Sequence, residues 1–167
     1  MALIVSRNDA DFLLGSSLLT IIGIAGAAYF GMYDLAASSA SILLCSINYW
    51  RRPVRGFRRN IDIVNTVAVL AYNTWHSFEL PDVYFSGYVF FATLAFLSFV
   101  ASHHPTSARV HSGVHIFGNV ANTIMYVGLY DQPLDRAEVA IAIMCAAALV
   151  DVLFIGGWPP KWWPVAE

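Results

Sequence analysis

Charge is scarce in this chain: Asp, Glu, Lys and Arg make up 12% of its 167 residues, about half their share in an ordinary water-soluble domain. The formal net charge of -2 gives no basic excess with which to hold nucleic acid. Cysteine is almost missing, and Cys45 and Cys145 both fall inside apolar runs. A disulfide framework, a CxxC redox pair and a zinc knuckle are thereby excluded. No GxSxG nucleophile, Walker glycine loop or GxGD motif occurs, so those chemistries are set aside as well. Low-complexity stretches and long linkers are lacking too, which predicts a single domain over 1–167. The opening residues MALIVSRNDAD lack the ordered regions of a cleavable signal, so the apolar run after them is expected to stay as a first span.

What is present is apolar. Hydrophobic residues make up 58% of the chain and its mean hydropathy is +0.61. About 20 such residues cross a hydrocarbon core, and on that rule six spans are expected near 12–32, 33–50, 61–80, 83–101, 110–130 and 137–157. Lipid offers backbone amides no hydrogen bonds, so each span should be a helix. The predicted fold class is all-α, a polytopic bundle of six transmembrane helices. Five arginines, Arg51, Arg52, Arg55, Arg58 and Arg59, crowd the connection RRPVRGFRRN, which the positive-inside rule places on the cytoplasmic side. By alternation Arg7, Arg109 and Lys161 fall on that side, with both termini. Asp34, Glu79, Asp82, Asp131, Asp135 and Glu138 fall on the other, with Arg136 alone among the basic residues. The aromatic residues fit this frame: Trp50, Trp158, Trp162 and Trp163 at the inner interface, Trp75, Tyr33, Tyr84 and Tyr130 at the outer. The organelle and the oligomeric state stay open.

A weak repeat links CSINYWRRP to LSFVASHHP, aligning Ser46 with Ser98 and Pro53 with Pro105. Internal duplication of this kind occurs in transporters, and a shared hairpin constraint produces the same matches.

Polar residues inside the spans form stripes. At about 100° per residue, Asp62, Thr66, Val69, Asn73 and His76 occupy an arc of about 80° on the third span, with Asn65 beside it. His111, His115, Asn119, Asn122 and Tyr126 repeat the arrangement on the fifth. Ser38, Ser41, Cys45 and Asn48 follow the second. Such groups are costly against acyl chains, so the second, third and fifth spans are expected to turn them toward one another. The first, fourth and sixth are left for packing. On the first, Gly23, Ala27 and Gly31 form a small-residue ridge. The simpler alternative is that the polar groups only bond helix to helix, at about 0.6 kcal/mol each.

Four of the five histidines, His103, His104, His111 and His115, gather in SHHPTSARVHSGVH at the inner end. His111 and His115, spaced i and i+4, can reach one metal ion, with Asp62 at matching depth and Asp151 on the sixth span as a further carboxylate. Such a set suits zinc or another divalent metal with an open position for water, which could then attack an ester or amide of a lipid headgroup. Capping, titration in interfacial water or contact with lipid phosphate would use the same histidines without metal. His76 lies about 21 Å along its helix from the depth of Asp62, too far to share a haem with His111 or His115. The HxxxH at the start of a late apolar helix resembles the ceramidase and adiponectin-receptor group of membrane hydrolases, which have more helices. The His103 and His104 doublet with it resembles the membrane fatty-acid desaturases and hydroxylases, which use a larger histidine set. Either likeness covers about a dozen residues and assigns no role to a residue here.

The five arginines can hold anionic lipid headgroups, at about 1 kcal/mol per residue near the surface, or only set topology. Arg58 and Asp62, spaced i and i+4, suggest an ion pair. Three functions follow as expectations: a metal-dependent lipid hydrolase or modifying enzyme at the inner leaflet, a small-solute or ion transporter along the seam, and a non-catalytic membrane subunit.

Overall fold

Ser6 starts the first helix, accepting the Asp9 amide at 3.1 Å and returning a 2.6 Å bond to the Asp9 carboxylate. This cap, with an acid in the first turn, begins helix α1 (Arg7–Ser17) five residues earlier than the first span expected at 12. The computed structural model describes residues 5–102 and 108–130. Of these, 84% are helical and none is in a strand, as the all-α expectation has it. All of them belong to one compact unit, Met1–Gln132. The sixth span, 137–157, with Asp151, and the doublet His103 and His104 lie outside the described residues.

The first span is not one regular helix. Ser16 and Ser17 turn their hydroxyls back to the carbonyls of Leu13 and Leu14, and Leu18 and Leu19 bond three residues back to Gly15 and Ser16. Serine back-bonding beside glycine loosens the α-helical ladder, and α2 (Thr20–Tyr29) follows as a second segment. Gly31, at φ 76°, closes it, with Met32 bonding back to Ala27 at 2.8 Å. That conformation suits glycine, since a Cβ crowds the backbone there. Gly31 is therefore the turn residue and not part of the small-residue ridge. The ridge consists of Gly23, Gly26 and Ala27, against which Asn119 and Tyr126 lie.

The other helices follow the spans closely: α3 (Tyr33–Trp50), α4 (Phe57–Ser77), α5 (Asp82–Ala101) and α6 (Ala108–Leu129). Gly56, at φ 138°, turns the chain between α3 and α4. Among the described residues two stretches are long and apolar enough to cross a membrane, Arg7–Tyr29 and Asp82–Ala101. Polar residues dilute α3, α4 and α6 below that mark.

Apolar burial is concentrated at the two ends of the bundle. One cluster joins Ala27, Leu35, Ala36, Leu80, Tyr88, Ala121, Met125 and Tyr126, where α2, α4 and α6 finish and α3 and α5 start. Another joins Leu13, Tyr49, Trp50 and Ala108 at the opposite end. Between them the helices stand apart around a cavity.

α5 and α6 pack closely over their whole length because glycine removes side chain from the seam. A Cβ on Gly128 would lie 2.7 Å from Leu80 Cδ2 and 2.8 Å from Tyr84 Cβ, and one on Gly113 would lie 2.5 Å from Ser98 Oγ. Helix α4 packs along α3 but has no extended contact with α5 or α6. Its buried residues are Val69, Asn73 and Ser77.

Candidate functional site

The cavity between these helices has a volume of about 850 Å³. Val67, Leu70, Ala92, Ala95, Phe96 and Phe99 give it an apolar wall. Polar side chains stand at its two ends and along α6.

At the end where α3 finishes and α4 starts, Arg55 and Arg59 line the cavity with Asp62, Trp50, Ser102 and His111. The five arginines therefore divide. Arg51 donates to Asn48 at 3.0 Å on the outside, Arg52 is exposed, and neither these two nor Arg58 lines the cavity. The expected ion pair between Arg58 and Asp62 does not form. Asp62 accepts instead from Ser46 of α3 at 2.9 Å, because the packing of α4 on α3 brings that hydroxyl to the inward face while Arg58 is turned off it.

His111 and His115 both line this half, with ring centroids 5.7 Å apart in an edge-on arrangement. One ring nitrogen of His111, Nδ1, pairs with the Ser102 hydroxyl at 3.0 Å. The Trp50 ring stands edge-on to His111 at 5.1 Å. Placed at the inner interface by its sequence position, Trp50 is in fact 5% exposed. It is buried because the end of α3 packs on α1 and on the start of α6. Among the described residues no three His, Cys, Asp or Glu side chains gather as a metal site would require.

The two stripes meet deeper in. Asn73 of α4 donates to Asn122 of α6 at 2.9 Å, and beside them Thr74 and Tyr88 share a 3.1 Å bond between α4 and α5. Asn119, about one turn nearer the start of α6, donates to its own helix at His115 and to Thr20 of α2 at 3.4 Å. The first span thus lines the cavity through Leu13 and Thr20, where packing alone was expected of it.

Other polar residues of the stripes face away from the cavity. Asn65 exchanges hydrogen bonds with Ser41 of α3 at 3.1 and 3.2 Å. His76, expected in the seam, lies 3.8 Å from Asp34, whose carboxylate also accepts from Tyr72 at 2.6 Å. Tyr126 reaches Ser39 at 2.8 Å. On α3 the expected face is wrong in part: Ser38 bonds back to its own helix, and Asn48 is used by Arg51. The buried polar residues of that helix are Ser39 and Ser46. Their spacing with Leu35, Leu43 and Trp50 carries the signal, since these positions recur every three or four residues.

Four buried polar atoms on lining residues have no hydrogen-bond partner among the described residues: Trp50 Nε1, Asn73 Oδ1, His115 Nε2 and Asn119 Oδ1. Buried polar atoms are normally paired, so these four are exceptions; they belong to residues that line the cavity, and the atoms themselves are enclosed by protein. No family model, no curated protein and no solved structure matches this chain.

Proposed function

We propose that this chain is a multi-pass membrane protein whose central cleft takes up one long-chain anionic amphiphile from the leaflet at its basic end. The observation that carries the reading is the cavity itself, in which an apolar shaft opens onto Arg55 and Arg59. Pockets of about 300–1,000 Å³ hold small ligands, and this one measures about 850 Å³. Basic residues at its mouth suit a carboxylate or phosphate head.

The membrane reading rests on an inverted surface. Val64, Val67 and Phe96 are 67%, 59% and 55% exposed, while Ser39, Ser77 and Asn73 are 0%, 0% and 2% exposed. In water that arrangement is unfavourable on both counts. Against acyl chains it is favourable, and it accounts for the polar content of α3, α4 and α6. The 21 residues of α4 extend about 32 Å, matching a hydrocarbon core of about 30 Å. Arg7, the α3–α4 connection and Arg109 belong to one side of such a bundle, Asp34, Glu79 and Asp82 to the other, which orients the basic side toward the cytoplasm.

Lateral access supports a lipid over a dissolved solute. Val67, Leu70 and Phe96 line the cavity and are also exposed, so the gap between α4 and α5 faces the surroundings. Of the polar groups that a solute pathway would use, Ser46 is paired with Asp62 and the Asn73 amide nitrogen with Asn122.

The test is to extract the lipid retained by protein purified in mild detergent. Gly118 lines the cavity and a Cβ there would meet nothing within 4 Å, so Gly118→Leu puts a side chain into the space. Wild-type protein is expected to retain a stoichiometric anionic amphiphile, and Gly118→Leu to lose most of it. Equal retention, or none in either, would overturn the reading.

A further inference from the structure

We infer that the basic end of the cavity takes both charges of a zwitterionic head, a phosphate on Arg55 and Arg59 and an ammonium on Asp62. This rests on the amphiphile reading and names the class: a long-chain alkyl phosphate that carries an amino group on the carbon beside the phosphate-bearing one.

Arg59 and Asp62 both line the cavity, and at i and i+3 on α4 they have the spacing of an ordinary intrahelical ion pair. No such pair forms. Helix α3 holds them apart with two of its own residues at the same spacing. The Ser46 hydroxyl donates to Asp62 Oδ1 at 2.9 Å, and the Tyr49 hydroxyl stands against the Arg59 guanidinium. Asp62 Oδ2 is left with no partner among the described residues, and unlike the four polar atoms sealed inside the protein it is not enclosed. Among the described residues neither Arg55 nor Arg59 has a carboxylate partner, and no basic side chain pairs with Asp62. A charge withdrawn from water calls for an opposite charge, and here charges of both signs line one space without meeting.

The order of the charges along α4 sets the class. Asp62 follows Arg59 at about 4.5 Å farther from the basic end, and beyond it the α4 residues lining the cavity include the apolar Val67 and Leu70. An alkyl chain lying along those two residues brings its polar end first to Asp62 and then to the arginines. The nitrogen therefore stands between the chain and the anion. An ammonium at the outer tip of a head, beyond the phosphate, would point away from Asp62. A head with an anion alone would set a like charge beside the Asp62 carboxylate, which is unfavourable. Paired guanidiniums match a phosphate monoester, which has three acceptor oxygens and a charge of about −1.5 to −2 near neutral pH. Two arginines against one aspartate leave the site with a positive excess, and an aminoalkyl phosphate brings a comparable negative one.

The probes are octadecyl phosphate, 2-aminooctadecyl phosphate and the N-acetyl derivative of the latter. They share phosphate and chain, and only the amino probe carries a positive charge. Calorimetric titration of the full chain in mild detergent is expected to show the amino probe binding at least about tenfold tighter than the others, the worth of one charge-assisted hydrogen bond. Asp62→Asn, which keeps an acceptor for Ser46, is expected to abolish that ratio. Arg59→Gln is expected to weaken every probe. Equal affinities for wild-type protein, a ratio that survives Asp62→Asn, or undiminished binding by Arg59→Gln would overturn the zwitterion site and leave the amphiphile reading standing. Binding of none of the probes would overturn both. Should Asp62→Asn fail to fold, the wild-type comparison of the amino with the N-acetyl probe decides alone.

Discussion

Helix α4 and the α5–α6 hairpin are held in the bundle by opposite means. Between α5 and α6 the contact is steric: Gly87 seats Ile124, Gly113 seats Ser98, and Gly128 seats Leu80 and Tyr84. Helix α4 supplies no residue to either apolar cluster. It is pinned instead by spaced polar bonds, Asp62 to Ser46 and Asn65 to Ser41 on α3, Thr74 to Tyr88 on α5 and Asn73 to Asn122 on α6. Close packing leaves no room for a ligand, whereas pins at intervals hold a helix at a distance and leave a cavity beside it. The two modes divide the labour, with the hairpin closely packed and α4 forming the wall of the cavity that polar bonds hold in place.

The largest effect should come from placing one methyl group at each of two glycines of α6. Gly128→Ala puts a Cβ within 2.8 Å of Tyr84 Cβ, an atom that cannot move without its backbone. Overpacking of this kind costs about 2–3 kcal/mol. Gly118→Ala, on the same helix, meets nothing within 4 Å, and replacing a mid-helix glycine contributes up to about 1 kcal/mol. Thermal unfolding in detergent should therefore separate the two variants by several degrees in opposite directions. Equal destabilisation would mean that α6 is packed alike at both glycines, and the contrast would fail.

That the arcs holding Asn73 and Asn122 should turn toward each other follows from the 3.6-residue period, which puts each asparagine on a single polar arc that only another polar arc can receive; the particular pair does not follow from it. Helix α3 was not legible in the same way. Its serines occur all round the helix, and a serine can satisfy itself on the preceding turn, as Ser38 and Ser41 do, so hydroxyl position alone does not mark the inward face. Trp50 misled for a related reason. An aromatic residue beside arginines has the composition of an interfacial anchor, and only the approach of α1 and α6 to the end of α3 buries it. The cavity was invisible to any periodicity argument, since it depends on how far α4 stands from α5 and α6. The histidine doublet and Asp151 lie outside the described residues, and the metal expectation rests with them.

A middle-sized effect sharpens the account of α4. Ser46→Ala removes the donor that Asp62 uses in its half-buried position, and hydrogen bonds to charged groups are worth about 1.5–3 kcal/mol. Asp62→Asn in the same chain should recover most of the loss, because a neutral amide needs the serine less. The coupling in that double-mutant cycle measures the pin directly. Additive losses would show that Ser46 and Asp62 act separately, and α4 would then depend on its packing against α3.

The smallest effect tests whether polar pins matter equally everywhere. Tyr126 bonds Ser39 at 2.8 Å, yet its ring is also in contact with the glycine seats of α2, 4.0 Å from a Cβ on either Gly23 or Gly26. Tyr126→Phe keeps that ring contact and loses only the hydroxyl. Ser39 can then turn to a carbonyl of its own helix, as neighbouring serines already do. The cost should be about 0.6 kcal/mol, typical of such bonds between membrane helices, and it should leave the cavity unaltered. A loss several times larger would mean that α6 is attached to α3 through hydrogen bonding, as α4 is. The distinction between a packed half and a pinned half would then have to be redrawn around α3.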